Sequence, residues 1–437
     1  MAGTLLNPLN SSMIAVALLT LRADFHVSIA TVTWLVSGFY LAGAVGMPLM
    51  GRLADRFGPR RVFTAGLLLV GLTGVLAPFA PAFGWLLVIR IVQAFGTATA
   101  YPAGLAVMRA ADRSGRAPAA ALGAVTVASS VSAALGPVLG GGLVALAGWQ
   151  AIFLVNVPVI LVGLVPARLW LPPDGAAIAS APDWFTTVRR LDLPGVLLFS
   201  GMLAAILGFL LSLASGPEWL LLPAAVLAAV LFLYRERRFD SPFLDIRLLA
   251  ANHALLGVYA QFAAVNLAFY AVFFGLPLWL EDARHFAPDT TGLLLLPVAS
   301  VGILITPLAA RLINRRGARL SLIIGSVLLL AGALLLLPVS DTTPVPLILG
   351  IGAVLGVPNG FNNLGLQTIL YEAAPPEQIG VASGLFQTAR YTGAILSTAL
   401  IGIIFAARGA SSGLHVLALI VAVVGVLLVV GSVATRR

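Results

Sequence analysis

The chain has no cysteine and no lysine; every one of its 25 basic residues is arginine. Without cysteine there is no disulfide, no thiol chemistry and no thiolate metal site. The four histidines, His26, His253, His285 and His415, are scattered without metal-ligand spacing. Charge is scarce as well: 9% of residues are charged, where a soluble domain averages roughly 25%. No nucleotide-binding motif and no paired-carboxylate site stand out, which argues against an ATP-driven pump and against an enzyme. The start is apolar but lacks a basic segment and a cleavage site, so no cleavable signal is read.

What is present is apolar length. Of 437 residues, 60% are hydrophobic, and the mean hydropathy is +1.05. A transmembrane helix needs about 20 apolar residues, and in lipid only helices or closed barrels satisfy every backbone group. The apolar runs are continuous rather than alternating, so they predict helices and not barrel strands. The expected fold is therefore all-α integral membrane. Fourteen helices are predicted, near 3–21, 30–51, 61–80, 84–109, 117–144, 149–170, 194–214, 217–234, 252–280, 289–311, 318–338, 344–371, 378–407 and 412–434. Glycine, proline and arginine clusters punctuate them.

The arginines fall in alternate loops, at 52–61, 109–116, 168–190, 235–247, 311–319 and 436–437. The opposite loops hold Arg22, Arg284 and Arg408. By the positive-inside rule both termini are expected in the cytoplasm. The net charge of +9 then reads as membrane topology, and no nucleic-acid partner is expected.

The most specific stretch is Gly51-Arg52-Leu53-Ala54-Asp55-Arg56-Phe57-Gly58-Pro59-Arg60-Arg61. A second copy follows at 310–319, where Arg52, Leu53, Arg56, Gly58 and Arg60 recur as Arg311, Leu312, Arg315, Gly317 and Arg319, with Asn314 in place of Asp55. The duplication predicts two six-helix bundles, as in parallel-repeat transporters. The domains expected are residues 1–170, a linker with two extra helices at 171–247, and 248–437.

The order G-x-L-x-D-R-x-G-x-R-R resembles the loop between the second and third helices of the major facilitator superfamily. Three further stretches agree. Arg90-Ile91-Val92-Gln93-Ala94-Phe95-Gly96 resembles the superfamily's fourth-helix motif, linked to proton coupling. Gly136-Pro137-Val138-Leu139-Gly140-Gly141 resembles the antiporter motif of exporters, with Ser132 at the usual first glycine. Gly148–Pro158 is similar to the sixth-helix start of the fourteen-helix drug:proton antiporters, with Trp149-Gln150-Ala151 where that family has W-R-W. Asn7–Leu18 resembles the same family's first-helix motif, with Asn10 at its acidic position.

The resemblance implies a proton-coupled exporter of small amphipathic molecules, of the multidrug-resistance kind. It would sit as a monomer in the bacterial cytoplasmic (inner) membrane. The proton gradient would be the energy source, with no cofactor and no metal. It also implies that Gly51, Asp55, Arg56, Gly58 and Arg60 act at a cytoplasmic gate, with Asp55 docking on the helix that begins near Gly380 and pairing with Arg109 or Arg113. Asn10 cannot change charge, and no carboxylate is predicted at mid-membrane. An uncoupled facilitator or a flippase of lipid-like substrates is therefore the alternative. A membrane sensor is the reading from another class, but the longest inside loop, near 171–193, is too short for an output domain.

The candidate cavity residues follow from polarity inside apolar helices. An arginine at mid-helix costs about 2.5–3.5 kcal/mol on insertion scales, so Arg90 is expected to turn into the bundle, tied to backbone carbonyls or facing the cavity. Arg390 is the second such residue. Two positive groups without carboxylates favour anionic or neutral, hydrogen-bonding cargo. Asn359, Asn363 and Gln367 share one helix face, as do Gln387, Arg390 and Tyr391, and as do Asn7 and Asn10. Such stripes are either glue between helices or cavity lining. Gln261, Asn266 and Tyr270 are weaker candidates of the same kind, and Trp34 and Tyr40 are expected to face either cargo or packing.

Overall fold

The computed structural model describes residues 2–100, 119–170, 192–213, 216–238, 252–374 and 379–434. All regular elements among them are helical. The first half comprises α1 (Ala2–Met13), α2 (Leu18–Phe25), α3 (Ile29–Val32), α4 (Trp34–Phe57), α5 (Pro59–Leu76), α6 (Phe83–Ala98), α7 (Ala119–Ala147), α8 (Ala151–Leu154) and α9 (Asn156–Trp170). Two helices follow, α10 (Leu193–Ser212) and α11 (Leu221–Arg238). The second half comprises α12 (His253–Asp282), α13 (Pro288–Leu294), α14 (Leu296–Arg316), α15 (Ala318–Leu336), α16 (Val345–Ala373), α17 (Ile379–Arg408) and α18 (Ala410–Ala434).

Among the described residues nine helical segments are long and apolar enough to cross a membrane. The other five predicted helices are present in shorter, interrupted or more charged form. The first is broken by a 3₁₀ turn at Ile14–Val16, the sixth at Val155, and α11 ends in Arg235, Glu236, Arg237 and Arg238. The described parts of the fourth and fifth are α6 and α7, and residues 101–118 between them lie outside the described ones.

Local chemistry sets the ends. Ser28 caps α3 by accepting from Thr31 N at 3.0 Å. Asn252 caps α12 through Ala254 N at 3.1 Å and Leu255 N at 3.2 Å. Asp192, held at a φ of 46°, caps α10 through Gly195 N at 3.2 Å. These side chains satisfy donors that no helical carbonyl can reach.

The duplicated turns have the same backbone. Gly58 has φ 95° and ψ 135°, and Gly317 has φ 82° and ψ 163°. Both donate their N–H back into the helix they end, to Ala54 O at 3.1 Å and to Ile313 O at 2.8 Å. A side chain is strained at such a φ, which is why glycine recurs there.

Packing is inside-out relative to a soluble protein. Trp279, Phe262, Phe274 and Phe153 are buried, whereas Leu72, Leu161, Leu304 and Leu427 lie on the outside. An apolar exterior of this kind is a lipid-facing surface. In the first half α1 packs on α7, α4 and α5 on α6, and α5 on α9. In the second, α12 packs on α17, and α16 on α14 and α15. The α10–α11 hairpin lies against α4 and α17, one helix from each half. Its base is pinned by Arg235 Nε donating to buried Asp192 Oδ1 at 2.7 Å.

Candidate functional site

The two halves close on each other at the end away from the arginine-rich turns. Helices α7 and α13 cross there backbone to backbone. A Cβ on Gly141 would lie 2.9 Å from the Pro288 carbonyl carbon and 3.0 Å from Asp289 Cα. A Cβ on Gly292 would lie 2.9 Å from the Pro137 carbonyl carbon and 3.2 Å from Val138 Cα. The Gly-Pro-x-x-Gly-Gly run thus has two faces. Gly136 and Gly140 fit under Ser12 and Met13 of α1 in the same half, and Gly141 meets the other half. Gly142 meets nothing within 4 Å. Two polar contacts join the same seal: Arg22 with Asp282 at 3.8 Å, and the buried hydroxyls of Ser37 and Thr398 at 2.5 Å.

Beneath the seal sits an aromatic floor. The Tyr40 ring is 5.2 Å from Tyr270, 5.6 Å from Tyr391 and 6.4 Å from Phe274. Tyr391 Oη donates to Met47 Sδ at 3.7 Å. Tyr40 comes from α4, Tyr270 from α12 and Tyr391 from α17, so the floor spans both halves.

On the other side of the floor the halves part. The stripe Tyr391, Thr398 and Gly402 of α17 packs on α3 and α4, where a Cβ on Gly402 would lie 3.3 Å from Ala30 Cα and Tyr391 lies against Gly43. One and two turns earlier the same stripe reaches Thr388 and Gly384. Thr388 is half-buried and donates within its own helix to Gly384 O, and Gly384 is exposed, with nothing within 4 Å of where a Cβ would lie. The contrast between exposed Gly384 and buried Tyr391 and Tyr40 marks a crevice along α17 that enters from the arginine-rich face and stops at the tyrosines.

Two arginines lie near this floor in different states. Arg90 is fully buried. Its Nη2 donates to Asn10 O at 2.6 Å and its Nη1 to Gln93 Oε1 at 2.6 Å. Its guanidinium lies 4.2 Å from the Phe39 ring centroid, a cation–π contact. Beside it, Asn10 and Asn156 exchange two hydrogen bonds, at 2.6 Å and 2.9 Å, and Asn7 donates to Thr97 at 3.1 Å. Arg390 is half-buried, 5.4 Å from the Phe262 centroid, and its buried Nε has no partner.

Other expected site residues are placed elsewhere. Asn359, which lies against Gly302 of α14, bonds to Asn363, and Gln367 donates to Tyr371 at 3.3 Å in an exposed setting. Asn266 is buried and bonded to Phe262 O at 2.8 Å. Gln261 lies against Gly431 of α18, and Trp34 against Gly208 of α10. Neither of those two faces the tyrosine floor. Gln387 is half-buried one turn before Tyr391. At the duplicated turn Gly51, Gly58 and Arg60 are described, whereas the side chains of Asp55 and Arg56, and all of Arg109 and Arg113, lie outside the described residues.

Asn156, Ser37, Thr398 and Gly292 were not expected in the site. Asn156 lies within the quoted stretch at 148–158, and a lone amide in an apolar helix was the signal available. The hydroxyls and Gly292 carry no such mark, because each becomes special only through the segment it meets.

Comparisons with known proteins agree with this architecture. The family model "Major Facilitator Superfamily" matches residues 1–398. The chain is similar to the MFS-type transporter YwoD of Bacillus subtilis strain 168, with 38% identity covering 97% of this chain and 93% of that protein. It is also similar to the tetracenomycin C resistance and export protein of Streptomyces glaucescens, with 30% identity covering 93% of this chain and 74% of that one. The solved nucleoside transporter NupG aligns over 100% of this chain and 99% of its own with a TM-score of 0.68. At 14% identity that likeness speaks for the fold alone.

Proposed function

The chain belongs to the Major Facilitator Superfamily, and we propose that within it the protein exports small amphipathic molecules by alternating access, driven by protons. The observation that carries the reading is the asymmetry about the tyrosine floor. One end is sealed by α7 on α13 and by Ser37 with Thr398, and toward the other end α17 is exposed at Gly384. With the arginine-rich turns in the cytoplasm, the crevice faces the side from which an exporter loads. The resistance-and-export name of the Streptomyces relative supports the direction and the cargo class. In this reading Asp55 and the duplicated glycine turns work the cytoplasmic gate, and both termini lie inside the cell.

Asn10 and Asn156 favour a second reading. They bond to each other beside Arg90, and neither amide can change charge during a cycle. An uncoupled facilitator or flippase needs no such change. Purified protein in liposomes with an imposed pH gradient separates the two. Proton movement that depends on added substrate, lost in Arg90→Ala, is the result expected of the antiporter. Substrate movement with no proton flux assigns the chain to the second reading.

A further inference from the structure

Arg90 and Arg390 are the two membrane arginines, and only one of them is available. Both terminal nitrogens of Arg90 are engaged, by the Asn10 carbonyl and by Gln93, and the side chain is buried among Phe39 and Phe153, with its Nε, like that of Arg390, buried without a partner. Arg390 has no hydrogen bond and no ion pair among the described residues, and its Nε is buried without a partner. It is held by packing: Phe262 lies 5.4 Å from the guanidinium, and Phe262 is stacked on Phe386 at 3.5 Å and 7°. On α17 it sits between the face that packs on α12, through Phe386 and Gly393, and the face that carries Tyr391 into the floor.

We infer that the crevice binds planar aromatic anions, molecules bearing a carboxylate or sulfonate, with Arg390 pairing the anion and the Tyr40–Tyr270–Tyr391 floor receiving the ring. The inference rests on the export reading and adds the charge of the cargo. A guanidinium with a nitrogen buried without a partner, as Nε is here, is unfavourable. Its planar fork matches a carboxylate or sulfonate in two parallel hydrogen bonds. Tyrosine faces offer an apolar surface with polar tips, suited to the ring of an amphipathic molecule. A permanent cation would meet the same guanidinium as a like charge.

The test measures binding calorimetrically to the full chain in lipid nanodiscs, with empty nanodiscs subtracted. The probes are anilinonaphthalene sulfonate, phenyl-naphthylamine (the same ring system without the sulfonate) and ethidium. Wild type is expected to bind the sulfonate at least about tenfold more tightly than the uncharged amine, the range of one charge-assisted hydrogen bond. Arg390→Gln is expected to bring the two to parity while leaving the amine's affinity unchanged, which also shows that the variant is folded. Arg390→Lys, which keeps charge but not the fork, is expected to retain part of the preference. A sulfonate preference that survives in Arg390→Gln overturns the inference, as does ethidium bound as tightly as the sulfonate. Liposomes loaded with the same probes keep the two readings apart. Binding with the expected preference but no transport of any probe sinks export and leaves the anion site standing. Transport of ethidium untouched by Arg390→Gln sinks the anion site and leaves export standing.

Discussion

Asn10 and Asn156 hold α1 to α9 by a reciprocal pair of hydrogen bonds in a buried setting. Removing either side chain loses the bonds that tie the two helices together at this point, although Asn156 also donates to Phe153 O at 2.9 Å within its own segment. Asn156→Leu is therefore expected to destabilise the protein by about 1–3 kcal/mol, read as a lower unfolding midpoint in detergent. Replacing both, as Asn10→Leu with Asn156→Leu, removes the two sides of the pair together and is expected to cost less than the sum of the single changes. A double variant as unstable as the sum of the two singles contradicts this account of the pair. Arg90 was legible as an inward arginine because its charge forbids a lipid-facing place. Its partners were not, since backbone carbonyls such as that of Asn10 leave no trace in a sequence. The amides were harder still. Gln261 against α18 and Gln387 beside the crevice are alike as residue types, and only the packing of neighbouring helices separates glue from lining.

At the scale of elements, the crossing of α7 over α13 is the closest backbone approach described between the halves. It depends on the absence of Cβ atoms at Gly141 and Gly292, since what lies opposite is backbone and cannot rotate away. Gly141→Ala is expected to reduce transport at least about tenfold by preventing closure at this end, a loss of more than about 1.4 kcal/mol for the sealed state. Gly142→Ala, one residue on and meeting nothing within 4 Å, is expected to transport as wild type. Equal activity of the two variants in a vesicle efflux assay would remove the crossing from the account. The sequence marked the run 136–141 through its resemblance to the antiporter motif of exporters. It could not divide the run into a face for α1 and a face for α13, because that depends on where the second half docks. The duplicated turn was more legible, since a local backbone demand needs no partner. Gly317→Ala at φ 82° is expected to lower the unfolding midpoint by strain in the left-handed region, with Gly257→Ala, where the structure is open and φ is ordinary, as the control.

For the molecule as a whole, continuous apolar runs sufficed to foresee helices long and apolar enough to cross a membrane. Nine spans satisfy length and hydropathy among the described residues, and fourteen remains the count from the sequence pattern. What no linear pattern holds is the state of the transporter, sealed at one end and open at the other. The cysteine-free chain allows that state to be tested cleanly. Ser37 and Thr398 face each other across the halves, with hydroxyl oxygens 2.5 Å apart, close to the roughly 2.05 Å of a disulfide. The deciding measurement is efflux from vesicles carrying Ser37→Cys with Thr398→Cys, before oxidation, after oxidation and after reduction. If the halves must part at this seal in every cycle, oxidation stops efflux and reduction restores it, while each single cysteine variant is indifferent to both. Full efflux from fully cross-linked protein would contradict alternating access about this floor.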